Sequence, residues 1–243
     1  MVIIIPFYNP GEFLEQCIAT AVSQKYDNYK MIFIDDMSTD DSWNKLPHDD
    51  DRAICIKNIV RKTALENIHD AIMNHCNEDS VCILLDGDDW FPNKKVLQYV
   101  DEQYNDNDCW IMYGQSQWTD GRRGFASAYS AEEFKNIRKS PFRVSHLRTF
   151  RAGLYQKIKE QDSEFSCMKD SSGEFYKMTY DVAIVLPMLE MAGAEKVAFN
   201  DTILYIYNRN NPISDDKVNQ QLQWDIHTEI SNKKSFNKIE DYK

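Results

Sequence analysis

Val81-Cys82-Ile83-Leu84-Leu85-Asp86-Gly87-Asp88-Asp89-Trp90 is the stretch that decides the fold. Its first five residues are apolar throughout and β-branched at two positions, the composition of a short strand buried on both faces. Three carboxylates then fall at the C-terminal mouth of that strand. In open α/β sheets this is the edge where ligands bind. Three acids within four residues repel one another, and folding alone does not call for them. A divalent cation held by hard oxygen ligands would relieve the conflict. The plainer reading is a polar turn with Gly87 at its tip.

Working outward, the first half of the chain alternates strand and helix. Val2 to Pro6 reads as a buried strand, and Gly11 to Gln24 as a helix with Phe13, Leu14, Cys17, Ile18, Ala21 and Val22 on one stripe. Met31 to Ile34 is a second strand ending in Asp35-Asp36, and Ala53 to Lys57 a third. Arg61 to Cys76 has helical spacing, and a further helix over 94–104 follows Pro92-Asn93. This alternation predicts an α/β fold with a mostly parallel sheet covered on both faces. Right-handed crossovers place the ends of the first, second and fourth strands on one edge. Those ends carry Phe7-Tyr8-Asn9, Asp35-Asp36 and Asp86 to Asp89, which together make a site.

The second half is less regular. Strands are expected over 110–113 and 115–118, separated by Gly114, with a turn at Gly121 to Gly124. Helices are expected over 131–138, 150–161 and, most densely apolar, 180–192, where Pro187 must kink the helix or break a hydrogen bond. Residues 195–199 and 203–207 read as strands, and the polar tail from Ser214 as helical to about residue 231. No repeat, low-complexity linker or domain boundary divides the 243 residues.

Bulk chemistry narrows the function classes. A hydrophobic content of 42% fills a core, and 12% aromatic residues argue against disorder. A formal charge of −11 repels nucleic acid and anionic membrane, so neither is expected as a general partner. It also means that any polyphosphate ligand needs local cations or a metal. The cysteines at 17, 55, 76, 82, 109 and 167 have no C-x-x-C spacing and mostly sit in apolar segments, which reads as buried free thiols. The apolar start Met1-Val2-Ile3-Ile4-Ile5 lacks a charged leader and is too short to span a bilayer. A cytoplasmic location is the expectation, with peripheral attachment to a membrane left open and no integral membrane segment.

Three blocks together resemble family 2 glycosyltransferases. They are Ile4-Ile5-Pro6-Phe7-Tyr8-Asn9, the run Ile34 to Ser42 around Asp35-Asp36, and Leu84 to Asp89. The resemblance is strong to about residue 100 and looser to about 214. It implies a single GT-A-type, Rossmann-like nucleotide-binding domain over 1–243, with a nucleotide-sugar half (1–100), an acceptor half (101–213) and a tail (214–243). It further implies an inverting, metal-dependent hexosyl transfer from a UDP-sugar donor to an acceptor hydroxyl on a glycan, protein or lipid. Pro6, Phe7 and Tyr8 would line the uracil pocket. Asp36 and Asp35 would accept hydrogen bonds from the base or ribose, since a carboxylate only accepts; Asp40 and Asp41 would cap the following helix. Asp86-Gly87-Asp88 matches the D-x-D element, with Asp88 the metal ligand, Asp86 on the ribose or the metal, and Asp89 on the metal or the acceptor. The metal would be Mn²⁺ or Mg²⁺, bridging phosphate oxygens.

The resemblance also shows departures. Where family members carry an Asn-x-Gly segment and then Ala-Arg-Asn, this chain has Asn58 to Asn67 without the glycine and with Glu66 in the arginine's place. Arg61 or Lys62 would supply the phosphate charge instead. In Met178 to Ala183, Asp181 stands where the family's base lies, against a simpler reading as a helix cap. Ser145 to Arg151 resembles an acceptor-side segment, so His146 and Arg148 are acceptor candidates, with Trp90 as a sugar-stacking candidate. Tyr205 to Ser214 resembles a late segment in which Arg209 would close over the diphosphate. The histidine that can complete the metal site there is replaced by Asn210 or Asn211.

Other enzyme classes fit less well. A nucleotidyltransferase needs a glycine-rich, arginine-containing loop where Pro6 to Pro10 stands. A D-x-D phosphatase needs its acids after the first strand. The competing reading from another class is a catalytically inactive nucleotide-sugar or glycan-binding module of the same fold.

Overall fold

The computed structural model describes residues 1–211, 217 and 219–243. A seven-stranded sheet is built in the order β3-β2-β1-β4-β6-β5-β7. The strands are β1 Val2–Phe7, β2 Lys30–Asp35, β3 Ala53–Lys57, β4 Val81–Leu84, β5 Ile111–Trp118, β6 Ser145–Arg151 and β7 Val197–Tyr207. Every neighbouring pair is parallel except the two that involve β6. β1 pairs β2 on one side and β4 on the other, so strand order reverses there. That reversal opens a crevice at the strands' carboxyl ends.

Alternation along the strands sorts the core into two layers. Val2, Ile4, Ile32, Ile34, Cys82 and Leu84 face one way, onto α2 (Ala64–His75) and α7 (Tyr180–Ala192). Ile3, Ile5, Met31, Phe33, Val81 and Ile83 face the other, onto α1 (Phe13–Val22) and α3 (Val96–Asp106). Helix α7 is buried almost all round, which explains its lack of an amphipathic stripe. Pro187 lies inside it and has no N–H to give the Ala183 carbonyl. The short helices α4 (Ala131–Lys135), α5 (Ala152–Gln156) and α6 (Ile158–Gln161) complete the second half, with α8 at Gln220–Asn232. Beyond α8 the tail packs in the α7 layer, where Ile239 N donates to Met191 O at 2.9 Å and Tyr242 lies edge-on against Trp110 at 5.4 Å.

Several expectations for the second half need correction. The strands expected on either side of Gly114 are one strand, and so are those expected over 195–199 and 203–207. Register shifts between Gly114 and Ser116 absorb the irregularity that made each look like two. Residues 145–151 form β6, and helix begins only at Ala152, not at Phe150. The tail helix starts at Gln220, and the part of that expectation on Ser214 to Asp216 and Val218 lies outside the described residues. All six cysteines are free thiols, most of them buried. No helix among the described residues is long and apolar enough to cross a membrane.

Candidate active site

A cleft of about 720 Å³ opens at the carboxyl ends of β1, β2 and β4, toward α2 and α7. This is within the range of small-molecule sites. Its first wall is the loop after β1 laced to the loop after β2. The Asn9 side-chain carbonyl accepts from Thr39 N at 2.8 Å, and Asn9 N donates to Ser38 Oγ at 3.0 Å. Tyr8 projects from this lattice with 36% of its surface exposed. Pro6 and Phe7 line the cleft beside it, and the mostly buried Phe7 packs on Gly87 so closely that a Cβ there would collide with it. The tip of the acidic loop therefore has to be glycine.

Asp35 and Asp36 face opposite ways, as neighbours at a strand end must. Asp36 lines the cleft, where its carboxylate accepts from Asn58 Nδ2 (2.9 Å), Lys62 N (2.8 Å) and Arg61 Nε (3.0 Å). Asp35 is fully buried beneath it and accepts from Ser38 N at 2.7 Å, which corrects its expected place on the donor. The capping expected of Asp40 and Asp41 is not made: Asp41 holds the N-cap position of a single 3₁₀ turn without a side-chain cap bond, and Asp40 accepts from Ser42 N at 3.1 Å in a local turn before it. Arg61 lies flat on Tyr8, its guanidinium carbon 3.4 Å from the ring centroid. Lys62 is drawn away to Asp70 at 2.5 Å and Glu66 at 3.4 Å. Both cations thus sit at the Tyr8–Asp36 end of the cleft.

The acidic strand end is held from the far half of the chain. The Asp86 carboxylate accepts from Tyr180 Oη at 2.7 Å and lies 3.7 Å from His146 Nε2. Burial works to raise its carboxyl, but His146, Tyr180 and Arg148 outweigh burial and hold it below the usual carboxylate range. Asp88 has less help: burial and then Asp86 push it up to about 6, while Asn211 Nδ2 donates to it at 2.6 Å. Asp89 is buried, accepting from Tyr205 Oη at 2.6 Å and Asn208 N at 2.7 Å. Burial, with Asp88 and Asp86 beside it, raises its carboxyl strongly. Two acids held up in this way form the charge conflict that a dication resolves.

The groups that converge for a metal differ from the expected set. Ligand atoms of Asp86, Asp89 and His146 lie within 4.8 Å of one another, whereas Asp88 is turned to Asn211. His146, expected at the acceptor, stacks between Tyr205 (4.3 Å) and Tyr207 (5.5 Å) beside Asp86. Burial first, and Arg148 second, lower its pKa, which favours the neutral imidazole that metals take. Arg148, also expected at the acceptor, donates to Asp181 at 2.9 Å. Thr179 holds the N-cap position of α7 without a side-chain cap bond, and Asp181, in the first turn, accepts from Val182 N at 2.9 Å, so it serves the helix start as well as facing the cleft. Asp181 lines the cleft at its α7 end.

Two expected contacts lie elsewhere. Arg209 is laid against Trp118 (4.9 Å) and Tyr207 (5.7 Å) and does not line the cleft. Trp90 is paired through its backbone to Ile206 and faces a neighbouring cavity. Sequence reasoning missed Tyr180 and Tyr205 as partners of the acids. It also missed Lys217, which helps draw down Asp88, and the hold of Asn58 on Asp36. Asn58, at the head of the Asn-x-Gly segment, and Asn211, as the stand-in for a histidine, carried a signal.

The sequence pattern described as "Glycosyl transferase family 2" matches residues 2–159, most of the chain. The chain belongs to glycosyl transferase family 2. Among curated relatives of this family 2 member is the Escherichia coli UDP-Glc:alpha-D-GlcNAc-diphosphoundecaprenol beta-1,3-glucosyltransferase WfaP. It is 36% identical over 101 residues, which cover 40% of this chain and 39% of the relative. Another, glycosyltransferase GlyG of Streptococcus pneumoniae, is 40% identical over 40 residues, 16% of this chain and 13% of the relative. The chain thus spans well under half the length of these relatives. Staphylococcus aureus TarS 1–349 in complex with UDP superposes with a TM-score of 0.59 at 16% identity, over 87% of this chain and 60% of that one. The Pyrobaculum calidifontis mannosyltransferase PcManGT, in complex with GDP-Man and Mn²⁺, gives 0.58 at 14%, over 85% and 56%. The fold of this family 2 member is the GT-A type.

Proposed function

We propose that the cleft binds a UDP-sugar and transfers the sugar, with inversion, to an acceptor hydroxyl with the help of a divalent metal. One observation carries the proposal. A single cavity holds an aromatic face with a carboxylate (Tyr8, Asp36) at one end, the acidic end of β4 in the middle, and Asp181 at the other. The first pair suits a base and its N–H, because the ring stacks and the carboxylate only accepts. UDP as the nucleotide is favoured by the two relatives named with UDP, while PcManGT is bound to GDP-Man.

Asp86, Asp89 and His146, with Asp88 beside them, have the donor chemistry to hold Mn²⁺ or Mg²⁺. When bound, such an ion neutralises the leaving diphosphate. Asp181 would take the proton of the acceptor hydroxyl as that oxygen attacks the anomeric carbon from the face opposite the diphosphate. Arg148, on one Asp181 oxygen, and Val182 N, at 2.9 Å from the other, fix the carboxylate's direction. Tyr180, one residue earlier, ties that same helix start to Asp86, so base and donor site share one strut.

Incubation with UDP-glucose, UDP-galactose, UDP-GlcNAc and GDP-mannose in Mn²⁺ tests the proposal. Release of UDP from at least one donor, abolished by chelator, is expected. Binding of a nucleotide sugar without release of diphosphate from any of them would replace the enzyme with the inactive binding module. No binding of any donor would reject both.

A further inference from the structure

A second cavity, of about 640 Å³, lies on the opposite face of the sheet, toward α1. Its wall is drawn from Gln16 and Ser23 of α1, Trp90 and Asn93 of the turn after Asp89, and Gln117 and Trp118 at the end of β5. The chemistry contrasts with that of the cleft. Among the described residues, Lys94 is the one lining side chain with a formal charge, whereas the cleft is lined by acids and cations throughout. In a chain of net charge −11, so neutral a surface beside a charged site is itself informative.

The Trp118 ring is already covered by Arg122 (4.5 Å) and Arg209 (4.9 Å), so the stacking face of this groove is Trp90, whose backbone is held to Ile206 by bonds of 3.3 and 2.8 Å. The amides are partly committed and partly available. Gln117 Nε2 donates to Gly121 O at 3.3 Å, leaving its carbonyl to accept. Asn93 Oδ1 accepts from Lys95 N at 2.8 Å, leaving its NH₂ to donate. Hydroxyls of Ser23 and Thr119 add groups that do both.

We infer that this groove binds a neutral oligosaccharide. A sugar ring has an apolar C–H face that stacks on indole and a rim of hydroxyls that both donate and accept, which is what amides and hydroxyls answer. A phosphate would meet Lys94 while Arg122 and Arg209 are turned to Trp118 and Arg122 is paired with Asp120, and a lipid tail would bury those amides unpaired. Trp90 follows Asp89 directly, so a glycan seated here lies back to back with the cleft, outside it. The inference rests on the groove's lining and does not require the transfer reaction.

Saturation-transfer NMR and calorimetry on the full chain without nucleotide, using cellotetraose and chitotetraose as probes, test it. Saturable binding in the millimolar range to at least one is expected, with the strongest transfer to ring C–H protons. Ser23→Trp, which fills the groove from α1, and Trp90→Ala should each weaken binding at least about fivefold. Thermal melting reports whether each variant folds, and if Trp90→Ala does not, Ser23→Trp decides alone. No binding of either sugar overturns the inference, as does binding unaffected by Ser23→Trp. Binding of a deca-proline peptide in place of the sugars would reassign the groove to a protein segment. None of these readouts involves UDP, so failure here is distinct from failure of the donor reading.

Discussion

The two walls of the cleft are built from contacts of different range. The nucleotide wall is laced by residues 22 to 31 apart, as in Asp36–Asn58 and Asn9–Asp40. The acidic centre is held by residues about a hundred apart: Asp86–Tyr180 at 94, Asp89–Tyr205 at 116 and Asp88–Asn211 at 123. The first wall takes shape with the parallel strands themselves. The second exists only once β7, added beyond β6 and β5, and α7 have brought their side chains to the end of β4.

The division can be broken by experiment, most forcefully at the acids. Asp88→Ala, or chelation of the wild-type chain, should lower transfer by about 10³-fold or more and remove metal-dependent UDP binding; calorimetry with and without Mn²⁺ reads both. Asp181→Asn should cost roughly 10²–10⁴-fold in kcat while UDP affinity is unchanged, which separates the walls most cleanly. Full turnover in that variant would reject Asp181 as the base. Tyr8→Ala should weaken donor binding by roughly tenfold and leave the acceptor KM alone, the mirror image of Asp181→Asn. The smallest effect lies outside both walls, in the capping box of α4. There the Ser130 N–H and Arg143 hold the Glu133 carboxyl down at about 2, from 4.5. Its stabilisation is fully present above about 4.5 and is lost as pH falls toward 2. Melting temperature of Glu133→Gln against pH should therefore fall less steeply in acid than that of the wild type.

Legibility in the sequence obeys the same division. β1, β2 and β4 announce themselves because strands buried on both faces are apolar at every position, and α2 because its stripe has helical spacing. The position of Asp35 was recoverable too: in an extended chain, adjacent residues cannot both face the cleft. β6 was not legible. Its polar His146 and Arg148 face the site, and its antiparallel neighbours β4 and β5 lie more than twenty residues away in sequence. Nothing local marks such a strand. The same distance hid Tyr205 and Tyr180, whose hydroxyls matter only because the carboxylates of Asp86 and Asp89 are brought to them. The seat of Arg209 on two aromatic rings was likewise not marked by its neighbours in sequence.

The guanidinium resting on Tyr8 has a consequence of its own. The ring face is already dry, and Asp36 already has a planar donor on it. A nucleobase arriving there would exchange places with one flat group, so its measured affinity reports the difference between two stacks. The evicted Arg61 would not return to bulk solvent. Tethered one residue from Val60 and one from Lys62, it would be released beside the incoming polyphosphate, turning a placeholder into a counter-charge in the same motion.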